Sequence, residues 1–154
     1  MNLEPGMVIP NFSRLDDAGT VRSISDYAGE GLVIYFYPKA FTPGCTGESC
    51  DFRDSHDRFI AAGYRVLGVS PDPVARLAKV RKEDDLPVPL LSDEDHSMAE
   101  SFGAWGLKKN YGKEYEGIIR STFVVNAAGV IEHAWYNVRA KEHVGRVTKV
   151  LLED

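Results

Sequence analysis

Apolar residues run almost unbroken through positions 32–37. A run this short, without alternation, predicts a central strand covered on both faces. Positions 64–70 and 121–126 read as two further strands. Between the first two of these segments the spacing becomes helical. Phe52, His56, Phe59 and Ile60 fall at i, i+4, i+7 and i+8, one face of a helix from about 43 to 62, with Gly63 as its C′ residue. Asp72 and Pro73 read as N-cap and first position of a second helix, with Val74 and Leu77 turned inward. Positions 88–91 predict a short strand, and Ser92 a cap for a helix that holds Met98, Ala99 and Phe102 and ends at Gly103. Positions 107–119 have little period and fit a loop or a pair of short edge strands. Positions 130–136 follow 121–126 across the turn Ala127-Ala128-Gly129, a hairpin. Val144, Val147, Val150 and Leu151 form the apolar face of a C-terminal helix. Before all of these, FSRLDDAGTVRSI predicts a small hairpin around Asp17-Ala18-Gly19. Strand and helix alternate, then a hairpin and a helix follow, which is a three-layer α/β plan with a mixed central sheet flanked by helices.

Composition narrows the class. At 154 residues the chain suits a single domain, 1–154. A net charge of −5 argues against a nucleic-acid partner, which calls for a basic patch. No apolar run reaches the length of a membrane span. The start, MNLEPGMVIPNF, shows neither the basic nor the apolar region of a signal peptide, so the expected location is the cytoplasm. In such a reducing compartment two cysteines are more often catalytic or redox-sensing than structural.

Both cysteines lie in YFYPKAFTPGCTGESC, positions 35–50. The strand ends, a Pro/Gly/Thr turn follows, and a helix begins. Cys45 therefore sits at a helix N-terminus, where unpaired N–H groups and the helix dipole favour thiolate. Gly44 permits close backbone approach. Cys50 follows on the same helix, and one activated thiol with a second nearby suits a cycle of attack, oxidation and disulfide formation. Lowering a thiol pKa by about two units corresponds to roughly 2.7 kcal/mol. A helix end supplies about 0.3–1 kcal/mol, so a cation is needed as well. Residues five apart on an ideal helix have Cα atoms about 8.6 Å apart, whereas a disulfide needs about 4.4–6.8 Å. If Cys50 resolves Cys45, the first turns must unwind in each cycle, and Gly47 weakens them.

The neighbours carry two readings each. Thr42 offers a hydroxyl to a thiolate or a peroxide oxygen, or caps the helix. Glu48 fits a capping box or a functional contact. Tyr37, Phe41 and Trp105 line an apolar mouth or simply pack. His56, His96, His133 and His143 show no metal-ligand spacing, and His56 reads as a packed side chain. No P-loop or dinucleotide-binding glycine pattern occurs.

Pro38, Thr42 and Cys45, spaced Pro-x3-Thr-x2-Cys, resemble the peroxidatic motif of the peroxiredoxins. The longer YPKAFTPGCTGESCDFRD is similar to the bacterioferritin-comigratory-protein (Q-type) branch, in which the second cysteine lies five residues after the first. GVSPDP at 68–73, LPVPLLSDEDHSMAESFGAWG at 86–106 and RSTFVVNAAGVI at 120–131 extend the likeness over nearly the whole chain. The resemblance implies a thioredoxin-like fold with peroxiredoxin insertions. It also implies a thiol peroxidase for hydrogen peroxide and alkyl hydroperoxides that uses no metal, haem or flavin. Cys45 would be the attacking thiolate and Cys50 the resolving thiol, forming a Cys45–Cys50 disulfide. Arg120 would be the missing cation, Pro38 the shield of the thiolate, and Pro38, Thr42, Gly44, Glu48 and Arg120 the peroxide-binding set. A dithiol such as thioredoxin or glutaredoxin would be the reductant, and the protein would be a monomer. The rival readings are a peroxide-sensing redox switch and a disulfide oxidoreductase, the latter disfavoured by the lack of C-x-x-C.

Overall fold

The computed structural model describes residues 3–39, 43–110, 112–139 and 143–152, without the side chains of 43–46, 109, 110, 113 and 152. In chain order the elements are β1 (Ser13–Leu15), β2 (Val21–Ser23), β3 (Gly31–Phe36), α1 (Pro43–Ala61), β4 (Tyr64–Ser70), α2 (Val74–Glu83), β5 (Leu90–Ser92), α3 (Ser97–Ser101), β6 (Trp105–Asn110), β7 (Lys113–Ile118), β8 (Ser121–Val125), β9 (Ile131–Trp135) and α4 (His143–Leu152). The central sheet runs β5-β4-β3-β8-β9. β3 is parallel to β4 and antiparallel to β8, so the sheet is mixed, as the strand pattern predicts.

Alternation along β3 explains why it reads as continuously apolar. Leu32, Ile34 and Phe36 point to one face, with Leu67, Val69, Phe102 and Phe123. Val33, Tyr35 and Tyr37 point to the other, with Phe52 and Phe59 of α1, Leu77 of α2, and Val144 and Val147 of α4. Both faces are buried, so neither needs polar residues. Gly63, after α1, has φ +90°, the left-handed conformation expected of a C′ glycine.

Several local expectations shift. Ile60 and Val150 are exposed: the apolar stripes of α1 and α4 are narrower than their spacing suggests. Asp72 does not cap α2. Pro73 holds that place, while Asp72 accepts from Ser70 Oγ at 2.8 Å and pairs with Arg76. Val74 is only half-buried, and Leu77 and Val80 carry the inward face. Ser92 belongs to β5 and donates to the Asp72 carbonyl. Asp93 serves α3 instead, accepting from Met98 N at 3.1 Å and Ala99 N at 2.8 Å. The aperiodic stretch after Gly103 forms a two-stranded antiparallel ribbon, β6 with β7, outside the main sheet.

Gly68, central in β4, is a point of close approach. A Cβ there would lie 2.7 Å from the Tyr35 ring and 2.8 Å from Leu90 Cδ2. Gly68→Ala should therefore destabilise the fold by about 1–3 kcal/mol, read as a lower urea midpoint with an unchanged slope. An unaltered midpoint would mean that Tyr35 moves aside freely.

Candidate active site

α1 rises from the end of β3, with Pro38 half-buried in the bend that follows the strand. The helix is continuous from Pro43, so positions 45 and 50 lie in one unbroken element. That places Gly44 and Cys45 in its first turn. The Cys45 side chain and all of Thr42 lie outside the described residues, as does Phe41.

One turn beyond Cys45, Glu48 is fully buried, and Arg120 meets it across the junction of β7 and β8. Arg120 Nη1 donates to Glu48 Oε1 at 2.6 Å. The second oxygen, Oε2, is buried with no hydrogen-bond partner among the described residues. Burial pushes the Glu48 carboxyl up to about 7, against the pull of Arg120. The geometry matches a charge-assisted bond, and the upward shift measures how costly a carboxylate is in this place. The capping-box reading of Glu48 therefore gives way to a long-range pairing.

The next residues bind α1 to the sheet. Ser49 Oγ and Tyr35 OH share a hydrogen bond at 3.0 Å. Phe52 stacks on Tyr35 with centroids 4.5 Å apart. Arg53 Nη1 donates to the Asp84 carbonyl, just past α2, at 2.7 Å. Cys50, half-buried among these anchors, is a free thiol. Burial pushes its thiol up, opposed by Arg53.

Tyr37 and Trp105 do not form a shared mouth. Tyr37 packs on the α1 side of the sheet, and Trp105 packs against the opposite cluster, stacked on His96 at 3.8 Å. Among the described residues no three His, Cys, Asp or Glu side chains are grouped to hold a metal. Nor, among the described residues, is any helix long and apolar enough to cross a membrane.

His143 gave no signal in the sequence, yet it is buried beside the site. Its Nε2 lies 2.7 Å from Thr122 Oγ1, two residues along β8 from Arg120. Burial pulls it down to about 4, reinforced by the charges of Arg120 and Arg146. Its partner is 21 residues away, a pairing that no local pattern encodes.

A family model described as the AhpC/TSA family matches residues 5–134. Peroxiredoxin Bcp of Bacillus subtilis is 44% identical over 151 residues, covering 98% of this chain and 96% of that protein. Peroxiredoxin Bcp of Escherichia coli K12 is 42% identical over 141 residues, covering 92% and 90%. Among solved structures, a Xylella fastidiosa PrxQ mutant superposes with a TM-score of 0.92 at 30% identity, covering 98% and 96%. The Xanthomonas campestris bacterioferritin comigratory protein, studied for its alkyl peroxide reduction, superposes at 0.86 with 36% identity, covering 91% and 89%.

His143 and Glu48 make opposite contributions to pH stability. A folded pKa of about 4 against an ordinary 6.5 means the unfolded chain takes up the His143 proton first, so stability falls as pH drops through that window. A folded pKa of about 7 against 4.5 makes Glu48 stabilise on acidification over an overlapping range. His143→Gln should remove the first effect alone. Relative to the parent, the variant should gain about 2 kcal/mol between pH 7 and pH 5, measured by urea unfolding at each pH. A constant difference between the two proteins would show that His143 is not held neutral.

Proposed function

The chain belongs to the AhpC/TSA family, on its Bcp/Q-type peroxiredoxin branch, and is a thiol-dependent peroxidase; from that premise we propose that Cys45 is the attacking thiol and Cys50 the resolving one. The observation that carries this assignment is the buried Glu48–Arg120 pair, which fixes a guanidinium beside the early turns of the helix that holds Cys45 in its first turn. That guanidinium makes up the shortfall between a helix end and a reactive thiolate.

In the first step the Cys45 thiolate attacks one peroxide oxygen and the O–O bond breaks. Sulfur is oxidised to sulfenic acid, and the departing oxygen leaves as water or an alcohol after taking a proton. Arg120, Thr42 and backbone N–H groups stabilise the charge that develops on that oxygen, with Pro38 screening the thiolate and Gly44 giving access. In the second step the Cys50 sulfur displaces water from the sulfenic acid. A cytoplasmic dithiol such as thioredoxin or glutaredoxin then reduces the disulfide. The substrates are hydrogen peroxide and alkyl hydroperoxides, and the protein works as a monomeric single domain. A disulfide exchanger or a one-shot sensor would not sustain turnover.

The second step requires α1 to open. The anchors set the extent: Glu48 and Ser49 must release, while Phe52 and Arg53 can stay in place. Cys45→Ser should abolish peroxide consumption. Cys50→Ser should keep the first turnover fast and stall recycling, with sulfenic or over-oxidised Cys45 seen by mass spectrometry. Sustained thioredoxin-linked turnover by Cys50→Ser would make Cys50 structural. Hydrogen exchange on the oxidised protein should show lost protection over about 43–51 and retained protection from Phe52 onward. Full protection of the first turns in a disulfide-bonded monomer would overturn the unwinding step.

A further inference from the structure

Arg53 takes no part in the peroxide step, yet it stands beside Cys50. It lies three residues further along α1, a spacing that puts both side chains on one face of the helix. Its guanidinium is fixed at two points. Nη1 donates to the Asp84 carbonyl at 2.7 Å, and Nε pairs with Asp54 Oδ1 at 3.0 Å. The receiving end is itself firm. Asp84 is the C-cap of α2, and its N–H donates to the Val80 carbonyl at 2.9 Å. Arg81, in the last turn of α2, donates from Nη1 to both carboxylate oxygens of Asp17 at 3.0 Å.

Cys50 sits among carboxylates. Burial pushes its thiol up, and Asp84 beyond α2 and Asp54 and Asp51 of α1 push the same way. Among the described residues Arg53 is the cation that opposes them. The effect is mutual: the bond to Asp54 first, and then the Cys50 sulfur, push the Arg53 guanidinium up, helped by Asp85. In the proposed cycle, opening the helix does not separate the two residues. Glu48 and Ser49 lie ahead of Cys50 and release, whereas Arg53 stays tied to Asp84. The same charge is therefore at hand before the attack and during it.

We propose that Arg53 is a positioning residue for the second step: tied to the Asp84 carbonyl, it holds the fixed part of α1 in place and screens Cys50 from the surrounding carboxylates while the Cys50 sulfur attacks the sulfenic acid. In that step an S–S bond forms, the Cys45 S–O bond breaks, and the oxygen leaves as water with the proton that Cys50 gives up. The thiolate is the attacking form, so Arg53 acts on the rate of resolution and not on the peroxide step. The inference rests on the assignment of Cys50 as the resolving thiol.

The test follows the two steps separately, by quenched-flow mass spectrometry after mixing with hydrogen peroxide at a series of pH values. In R53Q the sulfenic acid should form as fast as in the parent. Its conversion to the disulfide should slow about two- to fivefold at pH 7, the scale of one partly exposed charge pair. The pH midpoint of that conversion should move up. In R53K, which keeps the charge, the midpoint should stay with the parent. D84N keeps the carbonyl tether and removes a carboxylate, so it should move the midpoint down. One midpoint shared by all four proteins would make Arg53 a tether alone and overturn the proposal. A second readout needs no turnover. In a Cys45→Ser background the pH profile of Cys50 alkylation by iodoacetamide should move up with R53Q and down with D84N. An unmoved alkylation profile would overturn the role of Arg53 even in an active peroxidase. A moved profile in a protein whose oxidised form lacks the Cys45–Cys50 disulfide would instead overturn the resolving role of Cys50, and the proposed step with it.

Discussion

The salt bridge between Glu48 and Arg120 is the contact on which the arrangement of the site depends. It joins the helix carrying both cysteines to the junction of β7 and β8. Each partner alone would be an uncompensated charge in a dry place, a loss of about 3–5 kcal/mol. Together they fix the direction of a guanidinium that a flexible side chain would otherwise leave to solvent. The pairing also sets a competition. The carboxylate that positions Arg120 offsets part of its positive charge, while burial works against the charged carboxylate and pushes its pKa up.

A layer of aromatic contacts makes that pairing possible. Tyr35 stacks on Phe52 and bonds to Ser49, and Phe52 in turn leans on Phe59. These residues hold the middle of α1 firmly against the sheet, whereas the described anchors ahead of them, Glu48 and Ser49, attach through polar contacts. Polar contacts can be exchanged for water at small net cost, whereas extracting a buried phenylalanine cannot. In the proposed cycle the helix thus divides into a releasable beginning and a fixed remainder.

Much of this was legible in the sequence because it depends on local pattern. An almost unbroken apolar run marked β3, and the Pro/Gly/Thr turn leading into a polar segment placed Cys45 at the start of α1. What escaped was contact between distant positions. Nothing near Glu48 points to Arg120, and a capping role fits the local spacing as well. Asp93, rather than Ser92, takes the free N–H groups at the start of α3, its two carboxylate oxygens accepting from Met98 N and Ala99 N while His96 holds the cap position. Ile60 and Val150 sit on the predicted stripes yet face outward, since a period says which residues share a face and not how wide the neighbouring element is.

The placement of both thiols on one helix has a further consequence for the covalent state. A crosslink closing so few residues removes little chain entropy from an unfolded protein, far less than one spanning a whole domain. It also forms at the expense of ordered helix. The disulfide in this protein would thus be a temporary store of oxidising equivalents rather than a brace. Folding draws little support from it, and an incoming reductant would be assisted by the tendency of the opened turns to wind back.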